Sequence, residues 1–366
     1  MSDGGAVLEE FGPEVEQAKK DVLGDVWKPL GSWPTRPHAR EWLVVRPEEG
    51  GGRPGVLPLG KVGLLAGAGA AGKSWLTTQL AVAVASGARW VGLEADTTGK
   101  VLLVLGEEEA EEADRRLHHA GEMMELSVDQ RARAAKNLVV LPMAGRDVAL
   151  TRSLEDVEPG QLPETPLLHE LRRRLDKDGP WALVVLDPLA RFAGADVETD
   201  NAAATRFVQV LEQVVKAPGT PSVLVTHHTT KTARREGAGR SDAAAATAQR
   251  GASALTDGVR WQANLEGREH FQGTPRLIDF RVVKTNYGPP VPVMTLTAPV
   301  DGHGALRVAT EPEIRQWSEA LEAQKVKEKT EKKRLEAKAQ GRDAGRFSEG
   351  AADEDGGIPL GVDPDA

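Results

Sequence analysis

Val62-Gly63-Leu64-Leu65-Ala66, then Gly67-Ala68-Gly69-Ala70-Ala71-Gly72-Lys73-Ser74, then Trp75-Leu76-Thr77-Thr78-Gln79-Leu80-Ala81-Val82-Ala83-Val84 run on without a break. The order predicts a strand, a glycine-rich loop and a helix. Loop amides and the N-terminus of the following helix then form a positively polarised seat for phosphate oxygens, the arrangement of a P-loop. Lys73 is expected to reach the β- and γ-phosphates, and the Ser74 hydroxyl to bind Mg²⁺. Trp75, directly after the octet, is also a candidate nucleotide contact.

The same octet satisfies G-x-G-x-x-G through Gly67, Gly69 and Gly72. A dinucleotide fold has no use for a cation and a hydroxyl directly after the third glycine, whereas a Mg-nucleoside triphosphate needs both. Lys73-Ser74 therefore selects the P-loop.

Outward from this stretch, further apolar runs read as strands. Val101-Leu102-Leu103-Val104-Leu105 is a continuous run of the kind found in a parallel strand buried on both faces, and Gly106-Glu107-Glu108-Glu109 closes it. Ligands gather at that edge of an open α/β sheet, so Glu107 is the candidate to orient the attacking water. Glu109, Glu111 and Glu112 suit the acidic first turn of a helix. Ala182-Leu183-Val184-Val185-Leu186-Asp187 ends in one aspartate downstream of the P-loop, the Walker B pattern, which assigns Asp187 to the Mg²⁺ shell.

Ser222-Val223-Leu224-Val225-Thr226 ends at His227-His228, either of which can touch a γ-phosphate. Beyond them lie Lys231, Arg234, Arg235, Arg240 and Arg250, set among Gly, Ala, Ser and Thr. Such a basic, apolar-poor loop is either a solvated surface or a grip on a nucleic-acid backbone. The runs 254–263 and 277–284 read as two more strands. Arg260 and Lys284 at their ends fit an arginine-finger role toward a neighbouring subunit, and by spacing Arg260 fits an internal salt bridge equally well. His118 and His119 read as surface residues, with no partner at metal-ligand spacing.

The flanks differ in character. Residues 1–52 mix acids, prolines and Trp27, Trp33 and Trp42, and read as a partly flexible extension whose tryptophans are packing anchors. Residues 53–310 form the core, 311–344 a Glu-, Lys- and Ala-rich helical tail, and 345–366 a Gly/Asp/Pro-rich acidic end expected to be disordered. The net charge of −9 over 366 residues excludes a globally basic nucleic-acid coat but not a motor that is positive only where a strand passes. The absence of cysteine suits a reducing cytoplasm, and no apolar run is long enough to span a membrane.

Taken together, Gly67 to Ser74, Leu105-Gly106-Glu107-Glu108, Val185 to Phe192, Thr226-His227-His228, Arg250-Gly251-Ala252-Ser253, Val259-Arg260-Trp261-Gln262 and Lys284-Thr285-Asn286-Tyr287-Gly288 resemble, in order, the RepA-type hexameric replicative helicases of broad-host-range plasmids. The resemblance covers roughly Leu57 to Val300. It implies an α/β RecA-like P-loop NTPase core: a mostly parallel central sheet flanked by helices, with additional C-terminal strands and the charged tail. It implies a homo-hexamer that hydrolyses ATP with Mg²⁺ and acts on single-stranded DNA. By the same resemblance Glu107 is the catalytic base, His227 the sensor with His228 as its alternative, Arg260 the finger and Lys284 a second interface cation. The tail is a candidate contact for an initiator or primase.

Overall fold

The apolar runs 62–66, 101–105, 182–187 and 222–226 become central strands of one nine-stranded sheet. The structure, a computed structural model, describes residues 29–31, 38–153, 164–229 and 253–349. Residues 1–40 and 41–366 form separate units, and the described residues of the first carry no regular secondary structure. The second unit holds, in order, β1 (Trp42–Val45), β2 (Gly55–Pro58), β3 (Val62–Gly67), α1 (Lys73–Ser86), β4 (Arg89–Trp90), β5 (Leu93–Ala95), β6 (Lys100–Leu105), α2 (Ala110–Met123), α3 (Val128–Asn137) and β7 (Leu138–Pro142). There follow α4 (Pro166–Asp178), β8 (Trp181–Asp187), α5 (Leu189–Phe192), α6 (Asn201–Val214), β9 (Ser222–His228), α7 (Ser253–Gly258), β10 (Trp261–Gly267), β11 (Leu277–Thr285), β12 (Met294–Thr297), β13 (Arg307–Val308) and α8 (Glu311–Glu349).

The sheet order is β13-β12-β11-β10-β3-β9-β8-β6-β7. From β10 to β7 all neighbours are parallel, and β11, β12 and β13 extend the sheet antiparallel. This is the α/β core with extra C-terminal strands expected from the RecA-like pattern. Alternate residues of each central strand enter opposite cores, as they must in a sheet covered on both faces. Leu65, Leu103 and Val185 join α1 and the small sheet on one side. Leu64, Val104 and Leu186 join α4 and α6 on the other, around Leu175, Phe207 and Leu211.

Helix α1 is buried along almost its whole length. Its alanines let it lie close between the large sheet and a second, four-stranded antiparallel sheet in the order β2-β1-β5-β4. Gly87 ends it in the left-handed region, φ 76°, its N–H bonded to the Ala83 carbonyl, a backbone state only glycine adopts without strain.

Three readings need correction. Residues 254–263 are not one strand: Ser253–Gly258 is a helical turn and the strand starts at Trp261. Leu255 and Val259 are four apart and both buried, a spacing that a short helix satisfies as well as a strand. Trp42 opens β1 of the second unit, so the glycine-rich residues 50–52 lie within a β1–β2 connection and not between domains. The tail helix is continuous to Glu349. Trp27, Trp33 and residues 350–366 lie outside the described residues.

Candidate active site

The parallel arrangement brings the C-terminal ends of β3, β6, β8 and β9 to one edge, and with them most of the sequence candidates. Gly67 ends β3 beside β10, where a Cβ would lie 2.8 Å from the Leu265 carbonyl oxygen, so the close strand contact requires glycine. Ala70 and Gly72 both take left-handed backbone, φ 58° and 97°. Helix α1 starts after Gly72 with no side-chain cap and no acid in its first turn. Its leading amides are therefore not claimed by a carboxylate or hydroxyl, the condition under which a helix N-terminus receives an anion.

Lys73 is 4% exposed and lies across this loop. Its Nζ donates to the carbonyls of Gly67 (2.8 Å) and Ala68 (2.9 Å) and lies 3.1 Å from His228 Nδ1. Burial pushes its pKa from 10.5 down to about 8, against the pull of Asp187 and Glu107. Burial, and next the Lys73 charge, lower the His228 pKa, which keeps the imidazole neutral and leaves Nδ1 to accept from the ammonium. The other histidine faces elsewhere: His227 Nε2 lies 3.3 Å from Glu198 Oε1, and its Nδ1 is buried without a partner among the described residues.

The Lys73 shift carries a sign for stability. Unfolded lysine binds its proton more tightly than the folded site does, so between pH about 8 and 10.5 the unfolded state carries more protons and the nucleotide-free chain gains stability as pH rises. Urea midpoints across that window should rise in the wild type. Lys73→Met keeps the stem and removes the charge, and should lose that increment.

Asp187 ends β8 opposite Leu105 of β6. One carboxylate oxygen, Oδ1, accepts from the Thr226 hydroxyl of β9. Oδ2 is buried and has no partner among the described residues. One oriented oxygen and one uncommitted acceptor, with the Ser74 hydroxyl on the first turn of α1, suit a hard hydrated cation such as Mg²⁺. The two glutamates after β6 diverge. Glu107 is exposed and its charge acts on Lys73. Glu108 is bonded to Arg116 at 2.7 Å, with burial raising its carboxyl pKa.

Other neighbours of the P-loop gave no sequence signal. Arg276, just before β11, donates to the Ala70 carbonyl. Trp75 carries the Arg116 guanidinium 5.5 Å from its ring centre. A segment between β12 and β13 covers the same helix: Gly304 lies under Trp75, where a Cβ would be 2.3 Å from Nε1, and Gln79 makes two hydrogen bonds to the Leu306 backbone at 2.8 and 2.9 Å.

Arg260 and Lys284 are at the opposite edge of the sheet. The Arg260 amide bonds to the carbonyl of Val62, the first residue of β3. Five residue steps along β3 separate Val62 from Gly67, roughly 16 Å. Lys284 Nζ bonds to the carbonyls of Thr256 (2.8 Å) and Asp257 (2.9 Å) at the end of α7, and burial lowers its pKa. Neither cation meets the P-loop of its own chain. Lys231, Arg234, Arg235, Arg240 and Arg250 lie outside the described residues.

The sequence matches the family model described as AAA domain over residues 30–234, more than half the chain. The chain belongs to the AAA domain family. With its P-loop, this AAA domain is a nucleotide-binding P-loop ATPase. Among solved structures it is similar to the ATPase domain of the protein G-40-P, at 12% identity and TM-score 0.45 over 68% of this chain and 85% of that one. It is also similar to the RadB recombinase, at 17% identity and TM-score 0.43 over 71% and 94%. No helix among the described residues of this AAA domain is long and apolar enough to cross a membrane.

Proposed function

We propose that this P-loop ATPase is a ring-forming motor that moves on single-stranded DNA and so unwinds duplex during replication of a plasmid, phage or other mobile element. That is the activity of the RepA-type helicases it resembles. The observation that carries the reading is the 3.1 Å contact between Lys73 Nζ and His228 Nδ1. It joins the phosphate-binding lysine to the last residue of β9, three residues before Lys231, the first of the five basic candidates. When Lys73 turns to a γ-phosphate, His228 loses its donor, and the strand end leading into that segment is released. Of the two histidines, His228 is therefore the better sensor.

In the reaction, Lys73 binds the β- and γ-phosphates and Glu107 orients the attacking water and takes its proton. Ser74 and Asp187 would hold Mg²⁺, which when bound neutralises charge on the phosphate oxygens. Thr226 holds the Asp187 carboxylate in place. Arg260 and Lys284 sit too far from their own P-loop to act there, which favours delivery of Arg260 to the next subunit and a site completed only in an assembly. The charged helix Glu311–Glu349 is the candidate surface for an initiator or primase.

The test is ATP hydrolysis with and without single-stranded DNA, together with strand displacement. Hydrolysis should rise with DNA and a forked duplex should be unwound. Arg234→Ala combined with Arg235→Ala should weaken DNA binding and flatten its salt dependence, by about 0.7 in the logarithmic slope for each phosphate no longer neutralised. Hydrolysis indifferent to DNA would redirect the reading to an ATPase that loads or remodels other replication proteins.

A further inference from the structure

The histidine pair set aside in the sequence has a carboxylate after all. On α2, Glu122 stands one turn beyond His118 and His119 and faces both. His118 Nε2 is 3.4 Å from Glu122 Oε1, and His119 Nδ1 is 3.7 Å from Oε2. One ligand atom from each of the three residues can be chosen so that all lie within 4.8 Å of one another. Zinc with bonds of 2.0–2.1 Å holds its ligand atoms about 3.4 Å apart in a tetrahedron, so small side-chain rotations close the set.

A second element bears on the same place. His303, in the segment between β12 and β13, stacks on His119 with ring centres 3.9 Å apart and planes 19° from parallel. That stacking contact restricts rotation of the His119 ring from a second element of the fold. The adjoining cleft is also lined by Glu125 and Asp301, and the Arg307 cation within it is taken up by Glu313 at 2.8 and 2.9 Å. The cleft thus sets three carboxylates, those of Glu122, Glu125 and Asp301, around the His119 imidazole.

We infer that His118, His119 and Glu122 form a binding site for a divalent transition-metal ion of the zinc class, steadied by His303 and separate from the P-loop. Two imidazole nitrogens and one carboxylate favour zinc or cobalt over magnesium. Three protein ligands leave a fourth position for water or for His303 after a ring rotation. With His303 in that fourth position, the ion ties α2 to the segment that places Gly304 under Trp75 and bonds Leu306 to Gln79. It acts as a clip holding that segment on the P-loop helix.

The experiment uses the full chain, stripped with chelator and free of nucleotide. It is titrated with Zn²⁺ by calorimetry and with Co²⁺ by visible absorption. The expected result is one Zn²⁺ per chain, an intense four-coordinate Co²⁺ spectrum, and a thermal midpoint raised by Zn²⁺ but not by Mg²⁺. His119→Ala and the isosteric Glu122→Gln should each weaken binding at least 10-fold, and His303→Ala should weaken it measurably but by less than either. Asp187→Asn should leave it unchanged, since a P-loop cation is another site. A weak six-coordinate Co²⁺ spectrum in the wild type overturns the site without any variant. Zn²⁺ affinity unaffected by both His119→Ala and Glu122→Gln overturns it equally, and leaves His118, His119 and Glu122 as surface imidazole–carboxylate ion-pair contacts.

Discussion

Arg260→Ala is expected to bind nucleotide as the wild type does and to hydrolyse it about 10³-fold more slowly or worse, the range over which an arginine finger acts. The side chain is exposed at the start of β10, and its backbone amide is tied to Val62 at the far end of the P-loop strand. Its removal opens no cavity, and the thermal midpoint should hardly move. Mixing separates a trans role from any other. Arg260→Ala retains an intact phosphate site without a finger, while Lys73→Met retains a finger beside a dead site. Co-assembled, the two should recover part of the activity that each lacks alone. A mixture no more active than the sum of its parts would remove Arg260 from the neighbouring site.

Lys73→Met should abolish hydrolysis, with a loss of 10³-fold or more, and weaken triphosphate binding strongly, because no other cation in the octet can meet the β- and γ-phosphates. The protein should nonetheless fold. Burial already disfavours the ammonium, as its pKa of about 8 records, and its hydrogen bonds go to two loop carbonyls and one imidazole and not to a buried acid. A methionine stem retains the packing and strands no charge. Circular dichroism and a denaturant midpoint near that of the wild type should accompany the inactivity. Residual hydrolysis within 10-fold of wild type would mean that the P-loop is not the phosphate seat.

Local chemistry was the legible part of the sequence. Strands buried on both faces announce themselves as unbroken apolar runs, and β6, β8 and β9 fall where Val101–Leu105, Ala182–Asp187 and Ser222–Thr226 predict. Parallel order then gathers Lys73, Glu107 and Asp187 at one edge without further information. The short strands of the small sheet were not legible, since two to four residues carry no period and their partners are remote.

The same holds for the links that make the site work as a unit. Thr226 meets Asp187 across 39 residues, His228 meets Lys73 across 155, and Gln79 meets Leu306 across 227. Tertiary packing decides such pairs, and local propensity is silent about them. His118, His119 and Glu122 are the converse: the helical spacing was present in the sequence, and only the facing His303 gave it meaning.

The place of β10 sets a limit on how far this protein can be trimmed. The family match ends at residue 234, yet the P-loop strand β3 is paired on one side by β10, which begins only at Trp261. A chain cut back to residues 30–234 would leave β3 as a bare edge, its unpaired amides and carbonyls lying beside an uncovered apolar surface that Trp261 and Leu265 otherwise bury. It would also lose the Leu306 backbone to which Gln79, inside the catalytic helix, is hydrogen-bonded. The shortened polypeptide should associate through that edge and precipitate, and the smallest autonomous catalytic fragment should reach at least to β13.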